Sequence, residues 1–154
     1  MSKLIHPTNC EVAYQVACNL NPEDYAEIYE GCGHDPKMYL PIYVLCSETA
    51  VHFTDKKGNI AGCAGVQSDG CVWMLCTPVI YDNTHLFVRT ARKWLDSRPE
   101  RVLWNKLDKR NTTHIKLLKH LGFTFLREIN HGPNQLPFIE FVRCVNPQQS
   151  QQLL

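Results

Sequence analysis

The sequence predicts a single α/β (α+β) domain: a mixed, twisted sheet flanked by helices and ending in a β-hairpin. Three observations carry this. Helical signals fill the first third, strand-type apolar runs joined by short turns follow, and after Pro78 the order becomes helix, strand, helix and two final strands. With 154 residues, 44% of them hydrophobic and 20% charged, the chain suits one packed core and is too short for two full-sized domains.

A short strand is expected at residues 3–5. Thr8 can cap a helix reaching about residue 20. Asn21-Pro22-Glu23-Asp24 then offers a cap, a first-turn proline and two acids for a second helix, which Gly31 and Gly33 stop. Asp35-Pro36 opens a third helical piece toward Ser47, with Pro41 disturbing its regularity. Strands follow at 50–54, 59–67 and 71–77, joined by the turns Asp55-Lys56-Lys57-Gly58 and Ser68-Asp69-Gly70.

Beyond Pro78, Leu86, Phe87, Thr90, Ala91, Trp94 and Leu95 recur at helical spacing with Arg89, Arg92 and Lys93 off that face, which predicts an amphipathic helix over residues 83–97. Pro99 ends it, and a strand follows at 101–105. Asn111 or Thr112 caps the last helix, whose Ile115, Leu118 and Leu121 face inward, and Gly122 closes it in the left-handed conformation. Strands at 123–129 and 136–143 flank the turn region His131-Gly132-Pro133-Asn134-Gln135. The domain is placed at residues 1–145, with a polar tail at 146–154.

Charge is balanced overall, at +1, but unevenly placed. Residues 4–36 contain no Lys or Arg and carry Glu11, Glu23, Asp24, Glu27, Glu30 and Asp35, whereas residues 89–119 hold ten basic side chains against Asp96, Glu100 and Asp108. Such a basic cluster can hold cofactor phosphates or nucleic acid, or simply face water. The near-neutral total and the lack of aromatic-basic interleaving argue against nucleic acid. No apolar run approaches the roughly 18 residues of a membrane span, and Met1-Ser2-Lys3-Leu4-Ile5-His6-Pro7 lacks a signal peptide's apolar core. A cytoplasmic protein is expected. The eight cysteines form no C-x-x-C pair, so reduced thiols and no bound metal are expected. Ala17-Cys18, Leu45-Cys46 and Leu75-Cys76 set thiols among apolar neighbours, where they act as small hydrophobes.

The element order, with Asn111-Thr112-Thr113-His114-Ile115-Lys116-Leu117-Leu118-Lys119-His120-Leu121-Gly122-Phe123, resembles the last helix and following strand of the GCN5-related N-acetyltransferases, the GNAT superfamily. Trp73-Met74-Leu75, Trp94-Leu95, Leu103-Trp104-Asn105 and Pro137-Phe138-Ile139-Glu140-Phe141 extend the resemblance to one branch, the acetyltransferase-like proteins of short-tailed bacteriophages of the internal virion protein A type. It spans residues 71–143. It implies a GNAT-like domain in which acetyl-CoA lies where two neighbouring parallel strands, here 71–77 and 101–105, splay apart, and an amine attacks the thioester directly. Backbone groups near Leu75 and Thr77 would pair with the pantetheine arm and Asn111 would hold it from the other side. Read from the residues alone, Asn111 is equally a plain helix cap.

The chain departs from the superfamily pattern twice. The pyrophosphate loop of active members contains glycine and leads into a helix N-terminus, where exposed N–H groups favour anions. Here Pro78-Val79-Ile80-Tyr81-Asp82-Asn83-Thr84 has no glycine, and Asp82, a cap or first-turn acid, sets a negative charge in the anion's place. The tyrosine that protonates the leaving thiolate in many members is replaced by Leu118. Glu48, His52, Asp108 and His114 are candidate bases and none is singled out, so catalytic residues stay unassigned. The favoured reading is a phage acetyltransferase-like protein acting through contacts with other phage or host proteins, its catalysis reduced or lost, in the host cytoplasm or packaged in the virion. The alternative is an active acetyl-CoA-dependent N-acyltransferase with Arg89, Arg92 or Lys93 at the cofactor phosphates. A nucleic-acid module rests on the basic cluster alone. Acceptor, oligomeric state and stage of infection stay open.

Overall fold

A computed structural model describes residues 4–144, and the tail expected at 146–154 lies outside them. In chain order the elements are β1 (Ile5–Pro7), α1 (Cys10–Cys18), α2 (Pro22–Ala26) running into a π-helical turn (Glu27–Gly31), α3 (Pro36–Cys46), β2 (Thr49–Thr54), β3 (Ile60–Val66), β4 (Val72–Cys76), a 3-10 turn (Pro78–Asp82), α4 (Thr84–Asp96), β5 (Val102–Asp108), α5 (Thr112–His120), β6 (Thr124–His131) and β7 (Leu136–Cys144).

Local chemistry explains most boundaries, with three corrections at the caps. Thr8 still pairs with β2, its N–H donating to Ala50 O, so α1 starts one residue later and Asn9 caps it by accepting from Val12 N–H at 2.9 Å. Asn21 does not cap α2, although Pro22 opens that helix as expected. Asn83, not Asp82, caps α4, accepting from Leu86 N–H at 3.1 Å. Asp82 instead ends the 3-10 turn and is exposed. Gly122 closes α5 at φ +88°, as its position predicts.

The expected mixed sheet is realised as two antiparallel sheets, ordered β1-β2-β3-β4 and β5-β7-β6. Among the described residues one β-bridge, parallel, between Cys71 and Trp104, links them. The terminal strands form the expected hairpin, and β7 lies between β6 and β5.

Side chains alternate across the strands and so build two cores. On one face Val72, Met74 and Cys76 of β4 pack with Phe87, Ala91, Trp94 and Leu95 of α4 and Leu117 and Leu118 of α5. On the other face Trp73 and Leu75 pack with Ala13, Val16 and Ala17 of α1 and Leu40 of α3. Gly65 opposes Trp73, and its lack of a side chain makes room for the indole, which would lie 2.7 Å from a Cβ there. The eight cysteines are free, but only Cys63 and Cys76 are buried; Cys18 and Cys46, read as small hydrophobes, are exposed. Helical spacing accounts for Cys18: Ala13, Val16 and Ala17 take the inward face of α1.

Candidate functional site

Beyond the Cys71–Trp104 bridge, β4 and β5 diverge. Trp104 N–H donates to Gly70 O at 3.1 Å and Asn105 Nδ2 to Val72 O at 2.8 Å, and the two strands then part around a gap. Antiparallel pairing aims backbone groups alternately to either edge of a strand. Thr77 N–H donates to Ala61 O, and with the Cys63–Leu75 register this turns the backbone of Leu75 and Thr77 toward β3. Met74 and Cys76 are the residues whose backbone faces the gap.

A polar plug fills one side of that gap. Asp24 and Glu27 sit three residues apart, where α2 passes into the π-helical turn, and so share a face. Asp24 accepts from Cys76 N–H on β4 at 2.9 Å and from Asn111 Nδ2 at 2.7 Å, and its carboxylate lies 3.5 Å from His114 Nδ1 on α5. Glu27 accepts from Asp108 N–H on β5 at 2.9 Å. Asn21 completes the contact with β4: its N–H donates to Cys76 O at 2.9 Å and its side-chain amide to Thr77 O. All of these side chains are buried.

The segment is also held from the hairpin. Gly132, at φ +75°, sits so close to Gly31 that a Cβ on it would lie 1.8 Å from Gly31 O, which requires glycine on both counts. Asn134 Nδ2 donates to Glu30 O from the same loop.

Burial pushes the Glu27 carboxyl up to about 7, with His114 pulling it down and Asp24 pushing it up. Burial alone would lower His114, but the hydrogen bond to Asp24 and the charges of Asp24 and Glu27 outweigh it and its pKa is raised. Both groups therefore hold protons more tightly folded than unfolded. Their stabilisation is present at mildly acidic pH; Glu27's is lost between about 4.5 and 7 and His114's as pH rises further. Denaturant titrations are expected to show stability falling between about pH 5 and 8, with Glu27 supplying on the order of 3 kcal/mol. Glu27→Gln should flatten the profile; a wild-type profile that is level or rises would refute this account.

On the other side of the plug the gap stays open. A cavity of about 250 Å³ is lined by Glu27, Cys32 and His34, by Tyr43 of α3, by Cys71 and Trp73, by Asn105 and Lys106 of β5, and by His131 and Phe138 of the hairpin. Beyond the plug, between Asn21, Asp24, Cys76 and Asn111, only about 10 Å³ remains, room for about one water.

No protein-family model matches the chain, and no curated protein matches it in sequence. Solved structures do match its backbone. A GNAT-family acetyltransferase from Streptococcus pneumoniae superposes with a TM-score of 0.60 at 14% identity, over 93% of this chain and 99% of that one. YncA from Salmonella typhimurium, solved with its cofactor acetyl-CoA, gives 0.65 at 15% identity over 94% and 95%. The aminoglycoside acetyltransferase AAC(6')-Ib, in complex with coenzyme A, gives 0.61 at 16% identity over 97% of each chain. The fold is that of the GNAT acetyltransferases.

Set against that GNAT fold, each residue named from the sequence has a definite place. Leu75 is buried in the α1–α3 core. The Thr77 hydroxyl donates to Ile60 O at 2.8 Å and accepts from Val79 N–H. Asn111 is a helix cap, accepting from His114 N–H, and its amide nitrogen is bound to Asp24. Arg89 is exposed on α4, and Arg89, Arg92 and Lys93 make no ion pair among the described residues. Leu118, in the place of the tyrosine acid, is buried.

Of the candidate bases, Glu48 is exposed, His52 lies on β2, two strands from the gap, and Asp108 is paired with Arg110. His114 belongs to the plug. Among the described residues no His, Cys, Asp and Glu group of three or more could hold a metal ion, and no helix is long and apolar enough to cross a membrane. Sequence reasoning missed Asn21, Asp24 and Glu27 as site residues. The residues present do not fit an inserted pantetheine arm: the Cys76 backbone is bonded through both its N–H and its C=O, Asn111 is committed, and the space beside them is filled.

Proposed function

We propose that this chain uses the GNAT fold for binding rather than acetyl transfer, with catalysis lost. The observation that carries the reading is the bond set of Asp24, which occupies together the Asn111 amide, a group that the resemblance assigns to the cofactor, and the Cys76 N–H, which faces the groove between Leu75 and Thr77. Three further features support it: the absence of glycine between Pro78 and Thr84, the exposed Asp82 beside the start of α4, and the leucine at position 118. The resemblance to phage acetyltransferase-like proteins supplies the setting, contacts with other phage or host proteins in the infected cell or in the virion.

Calorimetric titration with acetyl-CoA and with CoA tests this reading. No binding up to about millimolar ligand is expected, a free energy no better than about −4 kcal/mol. Micromolar binding that weakens in Arg89→Ala or Arg92→Ala and fades at high salt would instead establish an active transferase with those arginines at the phosphates.

A further inference from the structure

On the reading that the chain binds without transferring acetyl groups, the lining of the open cavity points to what it takes. Four basic side chains line this one cavity: His114 of α5, which faces Asp24 in the plug, and three more from separate elements, Lys106 from β5, His131 from the end of β6, and His34 from the loop before α3. Of the three outside the plug, two are held in place by ring contacts, His34 stacked on Tyr39 at 3.9 Å and His131 edge-on to Phe138 at 4.8 Å. Lys106 makes no ion pair among the described residues.

The acids nearby are otherwise engaged. Glu140, opposite Lys106 on β7, pairs with Arg127. Glu30 and Asp108 pair with Arg110, and Asp24 faces His114. Burial raises the thiols of Cys32 and Cys71 to about 11 and lifts the Tyr43 hydroxyl as well, so none of them carries charge at neutral pH. Glu27 is the only carboxylate among the lining residues. The walls between these groups are apolar, formed by Trp73, Met74, Leu75 and Phe138.

We propose that this cavity binds a small carboxylate, its anionic head held by Lys106 and His131 and its apolar body lying against Trp73 and Phe138. An amine, the acceptor class that the resemblance implies, would meet these basic groups instead. Affinity rises as pH falls, for two reasons of the same sign. Burial, Lys106 and His34 hold His131 below its ordinary pKa, so acid is needed to charge it. Glu27, raised to about 7, loses its repulsive charge over the same range.

Calorimetry on the full chain with phenylacetate, phenylacetamide and benzylamine tests the proposal. Phenylacetate is expected to bind saturably, about tenfold tighter near pH 6 than near pH 8, and about tenfold weaker in Lys106→Met. Phenylacetamide should bind more weakly and benzylamine not at all. His131→Gln, compared with the parent at both pH values, should remove part of the pH dependence even if Lys106→Met fails to fold. Three results would overturn the proposal: benzylamine binding as well as phenylacetate, no heat at about 10 mM phenylacetate, or affinity unchanged in both variants. If neither phenylacetate nor acetyl-CoA binds, the proposal fails and the reading of a non-transferring fold stands; acetyl-CoA binding fails that reading whatever phenylacetate does.

Discussion

Asp24→Ala is expected to destabilise the protein by about 3–5 kcal/mol, the usual cost of removing one partner from a buried charged network. The substitution strips the acceptor from the Cys76 N–H and from the Asn111 amide, and it leaves His114 without its closest carboxylate. None of these groups can turn to water, because Cys76, Asn111 and His114 are all buried. Asp24→Asn should fall between wild type and Asp24→Ala. Its single amide oxygen can still accept, but its NH2 must face a donor. Urea unfolding monitored by tryptophan fluorescence measures both. A loss below about 1 kcal/mol in Asp24→Ala would mean that the plug does not hold the two sheets together.

A comparable loss, about 3–5 kcal/mol, is expected for Trp94→Ala on the opposite face. Trp94 is 5% exposed and packs edge-on against Phe53 at 6.1 Å, within a core that also holds Phe87 and Leu95. Removing the indole leaves a cavity that the antiparallel sheet beneath it is too constrained to fill. Arg92→Ala, two positions earlier on the exposed face of α4, should change stability by less than about 0.5 kcal/mol. The contrast separates the packing role of that face from the helix propensity of α4. Equal losses in the two variants would contradict the orientation of the helix.

The elements that could be read from the sequence are those whose signals are local. The helical spacing from Phe87 to Leu95, the left-handed Gly122 and the turn glycines at 58 and 70 each determine a structure within a few residues. Asp24 and Glu27 show the opposite case. In sequence they look like acids that complement the start of a helix, a role that solvent-exposed residues fill routinely. Their actual partners lie 52 positions away at Cys76, 81 at Asp108 and 87 at Asn111, and no local pattern encodes those distances. Asn21 is hidden in the same way, since an asparagine before a proline reads as a cap whether or not its side chain caps. The division of the sheet escaped for a related reason: β4 and β5 each read correctly as strands, and only their mutual register shows that they meet at one point.

Among the described residues a single β-bridge joins the two sheets, and side chains make the rest of their junction. Each sheet is woven from an unbroken stretch of chain, residues 5–76 for one and 102–144 for the other. Rotation about the Cys71–Trp104 bridge would therefore swing one half against the other without breaking a strand pair in either. That rotation is opposed by the core that Val72 and Met74 share with Leu103, Leu107 and Phe141 of the other sheet, by the Asp24–Asn111 bond and by the Gly31–Gly132 contact. Because the entropy of closing a loop grows only logarithmically with its length, a bond spanning 87 positions costs little more to close than a short one. Widening the cavity between the two halves would therefore work against side-chain packing and this bond rather than against the strand pairs of either sheet.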